Sequence, residues 1–405
     1  MRLLRRYPFS FALALVIVLG ALWPLPPLLD AVTGVAPADA DLVRPLWYVV
    51  AAPLSHVLDA LTFLSIERAG WALGTWVAAL AALGAWAAGP GSSARRRVFH
   101  ALVGPVLLVA LGGATVLLPR PVPALVAADT AATVLDYHAH TEASHDGRAG
   151  WTLRDLADWH ARQGFEASYV TDHNRIFTSH PETPIPLLPG VEWSVHRQHV
   201  LALGNVREIV RDSFTRSTER MLGIFRELDG QGAVAIAALP EYWRNHWDRL
   251  EDLARAGARG FEIVDCGPKA LGFPSARRAE VVRLAAARGL LVVGGSDNHG
   301  WAAATCVWNV TAPAAAGPGT NRVLARSIAL KQGDGPAWSA GVTQPWLMFR
   351  ALAWNERVSW LTWIAVVLIY RAVPRRAGQP GGIGILARSL KLHALFRQRP
   401  GAPQG

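Results

Sequence analysis

Histidine and acidic residues in the middle of the chain fall into five short groups. Ten of the 13 histidines lie between His138 and His299. The groups occupy residues 136–147, 171–174, 189–194, 199 and 294–300, each where an apolar run ends or meets a loop. Imidazole and carboxylate groups gathered in this way suit a divalent ion such as Zn, Mn or Fe.

His138 and His140 form the clearest single pair. Side chains at positions i and i+2 of a strand point to the same side, so both imidazoles can reach one ion. The same spacing joins Asp297 and His299. One His-x-His pair is weak alone, because 13 histidines in 405 residues give roughly 0.4 such pairs by chance. Five groups in this order are a much stronger signal.

The segments that carry these groups alternate between short apolar runs and amphipathic stretches. The runs predict strands at 132–136, 167–171, 187–192, 199–203, 233–238, 260–264 and 290–294. The amphipathic stretches predict helices at 152–163, with Thr152 as N-cap, and at 214–228, 245–255 and 275–288. This alternation favours a parallel sheet with crossover helices, curled into a barrel whose C-terminal strand ends meet at one mouth.

The order of the motifs resembles that of the polymerase and histidinol phosphatase (PHP) family of metal-dependent phosphoesterases. The matching segments are Asp-Tyr-His138-Ala-His140-Thr, Ser-His-Asp146-Gly, Thr-Asp-His173-Asn, Gly-Val-Glu192, the strand-borne His199 and Gly-Ser-Asp297-Asn-His299. The resemblance covers residues 132–300 and implies an α/β fold, a distorted TIM-like barrel of seven strands.

The resemblance also implies two or three divalent ions, which we expect to be Mn, Zn or Fe. The implied ligands of the first ion are His138, His140, Glu192 and Asp297. Glu192 would bridge to a second ion that His199 also binds, and a third ion would be bound by Asp146, His173 and His299. The implied catalytic residues are His173, Asp297 and His299. Two arginines that flank these motifs, Arg148 and Arg175, are predicted to bind a phosphate group through their guanidinium forks.

Two departures from the family pattern alter the expected site. The family's fourth motif ends its strand in His-Pro, whereas this chain has Leu239-Pro240, and leucine cannot bind a metal. His246, six residues after Pro240, is an alternative donor. The segment between His173 and Glu192 is short and rich in proline, so it has no room for a crossover helix. We therefore expect an incomplete barrel and a more open site.

Apolar segments flank this middle region on both sides. The chain is only 17% charged and contains apolar stretches at about 10–29, 46–66, 71–89, 98–119 and 358–370. A bilayer core requires about 20 apolar residues per helix. These stretches predict a membrane region at 1–130 with three or four helices, a soluble domain at 131–335, and a linker, membrane helix and basic tail at 336–405. Stretch 46–66 is interrupted by Pro53, His56 and Asp59, so we expect it to be re-entrant or interfacial.

The net charge of +10 is concentrated outside the soluble domain. Residues 1–130 carry +3, residues 131–335 carry −1 and residues 336–405 carry +8. Nucleic acid is therefore an unexpected partner, because a binding groove for it would make the soluble domain basic. The basic clusters are Arg2/Arg5/Arg6, Arg95/Arg96/Arg97, Arg371/Arg375/Arg376 and a tail with Arg388, Lys391, Arg397 and Arg399. The positive-inside rule places all four clusters in the cytoplasm and therefore the soluble domain on the opposite side of the membrane. We expect this membrane to be a bacterial inner membrane.

These observations together favour a membrane-anchored phosphoesterase. Clustered divalent ions lower the pKa of bound water towards 7, and the resulting metal-bound hydroxide would hydrolyse a phosphomonoester or phosphodiester, either a phosphorylated small molecule or a lipid-linked phosphate. One alternative is a metal-binding sensor or scaffold whose catalysis is impaired, which Leu239 motivates. Another is a hydrolase of non-phosphate esters or amides. Cys266 and Cys306 are too few for a cysteine-based zinc site, and the sequence leaves their pairing open.

Overall fold

The structure is a computed structural model, and it describes residues 7–178, 181–204, 206–209, 217–245, 247–312 and 321–372. His246 lies outside these residues, as do Arg2, Arg5 and Arg6 and the basic residues after Ala372. The described residues therefore do not include the alternative donor after Pro240. They also leave out two of the four basic clusters and most of a third.

Strands and helices alternate through the middle of the chain, as the sequence predicts. The strands are β1 Leu28–Asp30, β2 Ala40–Val43, β3 Ala124–Ala127, β4 Thr133–Asp136, β5 Ala167–Val170, β6 Leu187–Val195, β7 Gln198–Leu203, β8 Val234–Ala238, β9 Gly260–Asp265, β10 Leu291–Gly295, β11 Val307–Thr311 and β12 Asn321–Arg326. The α-helices are α1 Pro8–Leu22, α2 Leu46–Val50, α3 Ala52–Thr62, α4 Ile66–Ala87, α5 Ala94–Leu117, α6 Leu153–Arg162, α7 Thr218–Gly230, α8 Leu250–Arg255, α9 Ser275–Arg288, α10 Ser327–Leu330, α11 Ala340–Arg350 and α12 Trp354–Ala372.

Ten strands form one curled sheet in the order β1-β12-β11-β4-β5-β6-β7-β8-β9-β10. Strands β4, β5 and β6 run parallel, as do β8, β9 and β10, but β7 is antiparallel to both of its neighbours. The expectation of an all-parallel sheet is therefore wrong. The direction of β7 follows from the tight turn at His196 and Arg197, which joins it to β6. The φ angles of these residues, 43° and 59°, suit a two-residue hairpin, and a hairpin joins antiparallel strands.

The mixed α/β class is confirmed, while a barrel of seven strands stays a prediction. The ends of β4 and β10 nevertheless come together, because Ala139 forms a parallel bridge with Asn298. The side chain of Asn309 strengthens this seam. Its Nδ2 donates to the carbonyls of Leu135 and Gly294 at 2.9 and 2.7 Å. The first and last motif groups are thereby brought side by side.

Helix α6 shows how local sequence fixes an element. The Thr152 hydroxyl accepts a hydrogen bond from the Asp155 amide at 3.2 Å, and the Asp155 carboxylate accepts one from the Thr152 amide at 3.0 Å. This reciprocal capping box confirms the predicted start of the helix. Between β5 and β6 no helix forms among the described residues, which agrees with the short proline-rich connection.

The flanking segments depart from the predicted membrane region. Among the described residues only α4 and α5 are long and apolar enough to cross a membrane, in place of four or five spans. Helix α1 has only 15 residues, and stretch 46–66 divides into α2 and α3. Asp59 of α3 is buried and pairs with Arg120 and Arg326 at 2.6 and 2.5 Å. Strand β1 also pairs with β12, so part of the N-terminal region belongs to the main sheet.

Candidate metal centre

Glu192 on β6 lies at the centre of the motif groups and is fully buried. Its Oε2 lies 3.2 Å from Nε2 of His138, 3.3 Å from Nε2 of His140 and 3.0 Å from Nδ1 of His173. Its Oε1 contacts Nδ1 of His199. One carboxylate therefore joins four imidazoles that come from three different segments of the chain.

Two aspartates complete the cluster. Oδ1 of Asp297 lies 3.3 Å from Nε2 of His140 and 3.5 Å from Nδ1 of His299. Oδ1 of Asp146 lies 3.1 Å from Nε2 of His299, and its Oδ2 lies 3.6 Å from Nε2 of His173. The structure thus brings together all eight residues predicted as ligands. Their metal-binding role stays a prediction.

The backbone around the centre takes conformations that serve this convergence. Asn174 and Asp297 have φ angles of 53° and 45°, which are unfavourable for most residues and typical of strained functional sites. Gly295 ends β10 against the side chains of Glu262 and His138, where a Cβ atom would collide with both. The Gly-Gly pair before Ser296 therefore lets the strand end pass close to the imidazole.

The donor set fits divalent ions. Several buried atoms that could bind a metal make no hydrogen bond. They are His138 Nε2, His140 Nε2, His173 Nδ1, His299 Nε2 and both carboxylate oxygens of Glu192. Buried polar atoms normally have partners. Neighbouring ligands bonded at about 2.0–2.2 Å to one tetrahedral ion lie about 3.3–3.6 Å apart, and the separations of 3.2, 3.3 and 3.0 Å around Oε2 of Glu192 are close to that range. The residues could hold ions in several overlapping groups of three.

Sequence analysis missed two acidic residues on β9. Glu262 and Asp265 are buried and form a candidate metal-binding group with His138. Oε1 of Glu262 lies 3.1 Å from Nδ1 of His138, and such a carboxylate fixes the tautomer of a metal-binding histidine. The sequence feature that could have identified them is the presence of two acidic residues in a strand that is otherwise apolar.

The charges of the centre depend on burial and on one another. Burial raises the pKa of Glu262 to about 7, and it raises that of Asp265 well above its ordinary value together with the nearby charges of Asp297 and Glu262. Burial acts in the same direction on Glu192, but the charges of His199 and His138 outweigh it and hold its pKa well below the ordinary value. A buried carboxylate that stays ionised, as Glu192 does, is complemented by a cation.

Asp172 positions two of the imidazoles from behind. Its Oδ1 accepts hydrogen bonds from the Thr141 amide at 2.7 Å and the Ser144 hydroxyl at 3.2 Å. Ser144 Oγ in turn lies 2.9 Å from Nδ1 of His140 and accepts from the His173 amide at 2.9 Å. Asp172 therefore fixes the loop that carries His140 and links it to the loop that carries His173.

The position of the missing histidine is apolar, as expected. Leu239 is buried in the hydrophobic core and offers no donor. Two residues later, Glu241 brings Oε2 to 3.3 Å from Nδ1 of His199. Its Oε1 accepts a hydrogen bond from Nζ of Lys269 at 2.7 Å, and this bond raises the pKa of Lys269. Sequence analysis singled out neither side chain for this site.

A cavity of about 530 Å³ opens beside the centre, and Lys269 lines it. The two arginines predicted to bind phosphate do not line this cavity. Arg148 stacks over the ring of Trp151 at 5.2 Å and lines a neighbouring pocket, and Arg175 is exposed and does not line the cavity. Among the described residues, Lys269 is therefore the one lysine or arginine that lines the cavity.

Cys266 and Cys306 form a disulfide, with Cα atoms 5.6 Å apart. The bond joins the end of β9 to the start of β11, and Cys266 borders the cavity. The two cysteines, whose pairing the sequence left open, are therefore bonded to each other. The bond ties the loop that carries Lys269 to the sheet.

Comparisons with known proteins find remote likenesses of structure only. No protein-family model and no curated protein matches the sequence. A candidate metal-dependent phosphoesterase from Bifidobacterium adolescentis is 18% identical, with a TM-score of 0.31 over 41% of this chain and 88% of that one. PsfC from Pseudomonas syringae is 16% identical, with a TM-score of 0.36 over 53% of this chain and 99% of that one. We therefore infer function from the geometry of this chain's own site.

Proposed function

We propose that the protein is a metal-dependent phosphoesterase with two or three divalent ions at the Glu192 cluster. The observation that carries the proposal is the convergence around Glu192, beside a cavity, of buried imidazole and carboxylate atoms that make no hydrogen bond. Mn, Zn or Fe bound there would activate water and stabilise the charge of a phosphoester. The residues that would hold the ions are His138, His140, Asp146, His173, Glu192, His199, Asp297 and His299.

The other side chains have distinct tasks in this proposal. Lys269 carries a positive charge at the cavity wall and would bind a phosphate oxygen. Asp146, His173 and His299 lie at the cavity wall, and where only two ions are bound and this group holds none, one of the three would hold the proton for the leaving oxygen. Glu262 and Asp172 would keep the imidazoles in the orientation that binding requires.

Membrane anchoring is part of the same proposal. Helices α4 and α5 form an apolar hairpin whose side chains are mostly exposed, and such a surface suits a bilayer. Arg95–Arg97 lie at the start of α5, and the positive-inside rule would place them in the cytoplasm. The metal centre would then face the opposite, oxidising compartment, where a disulfide between Cys266 and Cys306 is stable.

Metal analysis and turnover of the full chain test the proposal together. The protein is purified in detergent, stripped with a chelator and reloaded with Mn, Zn or Fe. We expect bound metal and hydrolysis of aryl phosphate monoesters or diesters, and the loss of both in Glu192→Gln. Reloaded protein that holds metal but hydrolyses neither ester would contradict the phosphoesterase assignment.

The second candidate function is a metal-binding sensor or scaffold without turnover. The observation that favours it is Leu239, which supplies core packing where the resemblance implies a ligand. Bound metal without hydrolysis, in the same experiment, is the result that would select this candidate.

A further inference from the structure

The cavity at the metal centre has an apolar part that metal binding does not require. Besides the polar residues of the centre, its wall includes Leu61, Phe63, Leu64, Val116, Ala270 and Ala304. A volume of about 530 Å³ lies within the range of about 300–1,000 Å³ that is typical of pockets for drug-sized ligands. The cavity therefore has room for more than a phosphate group.

The apolar wall comes from the elements next to the candidate membrane spans. Leu61, Phe63 and Leu64 lie at the end of α3 and in the link to α4, and Val116 lies in the last turn of α5. The 24 residues of α5 extend about 36 Å, and the hydrocarbon core of a bilayer is about 30 Å thick. If α5 spans, its arginine-rich start and the cavity lie at opposite membrane surfaces.

We propose that the substrate is a phosphoester with a long hydrocarbon chain, an inference that rests on the proposed function. Its phosphate would lie between the metal centre and Lys269, and its chain would lie along the apolar wall towards the bilayer. Contact with a sugar or with inorganic phosphate would leave the apolar wall without a complementary partner, whereas a hydrocarbon chain removes it from water. If α5 spans, the wall at its end lies beside the membrane surface, from which such a chain would enter.

A series of monoalkyl phosphates tests this substrate class. The full-length, metal-loaded protein is assayed with ethyl, hexyl and dodecyl phosphate below their micelle concentrations, and phosphate release is measured. We expect kcat/KM to rise roughly two- to fourfold per added methylene until the wall is covered.

Val116→Arg places a charge on the apolar wall. Val116 is 38% exposed, so the fold has room for a longer side chain. The ratio of kcat/KM for dodecyl to ethyl phosphate should fall at least about tenfold. The matched control is Leu118→Arg, since Leu118 is 59% exposed, lies two residues further on and does not line this cavity. That variant should keep the ratio of the unaltered protein.

Photo-crosslinking gives a readout that does not depend on turnover. Dodecyl phosphate with a diazirine at the chain end is irradiated with the full-length protein, and labelled residues are located by mass spectrometry. We expect labels at residues 61–64 and 115–116 that unlabelled dodecyl phosphate displaces and dodecanol does not.

The two experiments separate the possible failures. Equal kcat/KM along the series, with labels confined to the outer surfaces of α4 and α5, would overturn the hydrocarbon chain and leave the phosphoesterase intact. Absence of hydrolysis of every ester by metal-loaded protein would overturn the proposed function itself.

Discussion

Nδ1 of His138 lies 3.1 Å from Oε1 of Glu262, and both side chains are buried. Burial favours the neutral imidazole, but the charges of Glu192, Glu262 and Asp297 outweigh it and raise the pKa of His138 well above its ordinary value. A proton on Nδ1 leaves Nε2 directed towards Glu192 and Asp297. Glu262 thus determines which nitrogen of His138 can meet an ion.

Glu262→Gln should weaken metal binding without removing a ligand. The amide keeps the shape of the side chain but loses the charge that supports the His138 tautomer. We expect metal affinity to fall about ten- to hundredfold, measured by competition with a coloured chelator. Glu251→Gln, on the exposed side of α8, is the control and should bind metal normally. Unchanged affinity in the Glu262 variant would show that His138 needs no carboxylate behind it.

Lys269→Met should weaken substrate binding. Lys269 is the cation at the cavity wall, but its side chain is 64% exposed, and interactions between exposed charges contribute roughly 1 kcal/mol or less. We therefore expect KM for an aryl phosphate to rise about fivefold with a smaller change in kcat, measured by steady-state kinetics. Lys331→Met, which alters a lysine outside the cavity, should leave KM unchanged. An equal rise in both variants would point to a general effect of net charge.

Metal affinity should increase with pH. Burial disfavours the imidazolium of His299, but the charges of Asp297 and Asp146 outweigh it and raise its pKa to about 9. An ion that binds His299 must therefore displace a proton, so this residue alone should contribute a rise in affinity of up to about tenfold per pH unit between neutral pH and 9. Chelator competition across this range measures the slope, and His299→Gln should reduce it. A slope that His299→Gln leaves unchanged would assign the proton to another group.

The same shift gives the metal-free protein the opposite trend. Because the folded-state pKa of His299 is raised above its unfolded value of about 6.5, its protonation stabilises the fold fully below that pH. This contribution is lost as pH rises towards 9. Denaturant unfolding of the stripped protein at several pH values measures it, and stability that rises over this interval would contradict the assignment.

Removal of the disulfide should destabilise the domain. Cys266 and Cys306 are 40 residues apart, and closing a loop of that length stabilises a protein by about 3–4 kcal/mol through the entropy of the unfolded chain. We expect the double variant Cys266→Ser/Cys306→Ser to unfold at lower denaturant concentration by a corresponding amount. A reductant should shift the unaltered protein similarly and leave the variant unaffected. Equal midpoints with and without reductant in the unaltered protein would contradict the pairing.

Several elements were predictable from the sequence because their determinants are local. The capping residues Thr152 and Asp155 lie within one turn of each other, and helix α9 begins and ends as its amphipathic pattern predicts. The five motif groups were recognisable in the same way, since each lies at a strand end or start that hydrophobic patterning reveals, whereas the eight ligand residues were implied by the family resemblance. Local periodicity, however, does not specify the direction of neighbouring strands, which is why the antiparallel β7 was missed.

The sequence by itself determined the alternating α/β elements, the five motif groups and the chemistry those groups could perform. Only the tertiary structure decided that Glu262 supports His138, that Glu241 and Lys269 reach the cavity, and that Cys266 pairs with Cys306. It also decided that Asp59 forms ion pairs with Arg120 and Arg326. These contacts join residues far apart along the chain, so they depend on sheet register and curvature, which arise from the packing of the whole chain.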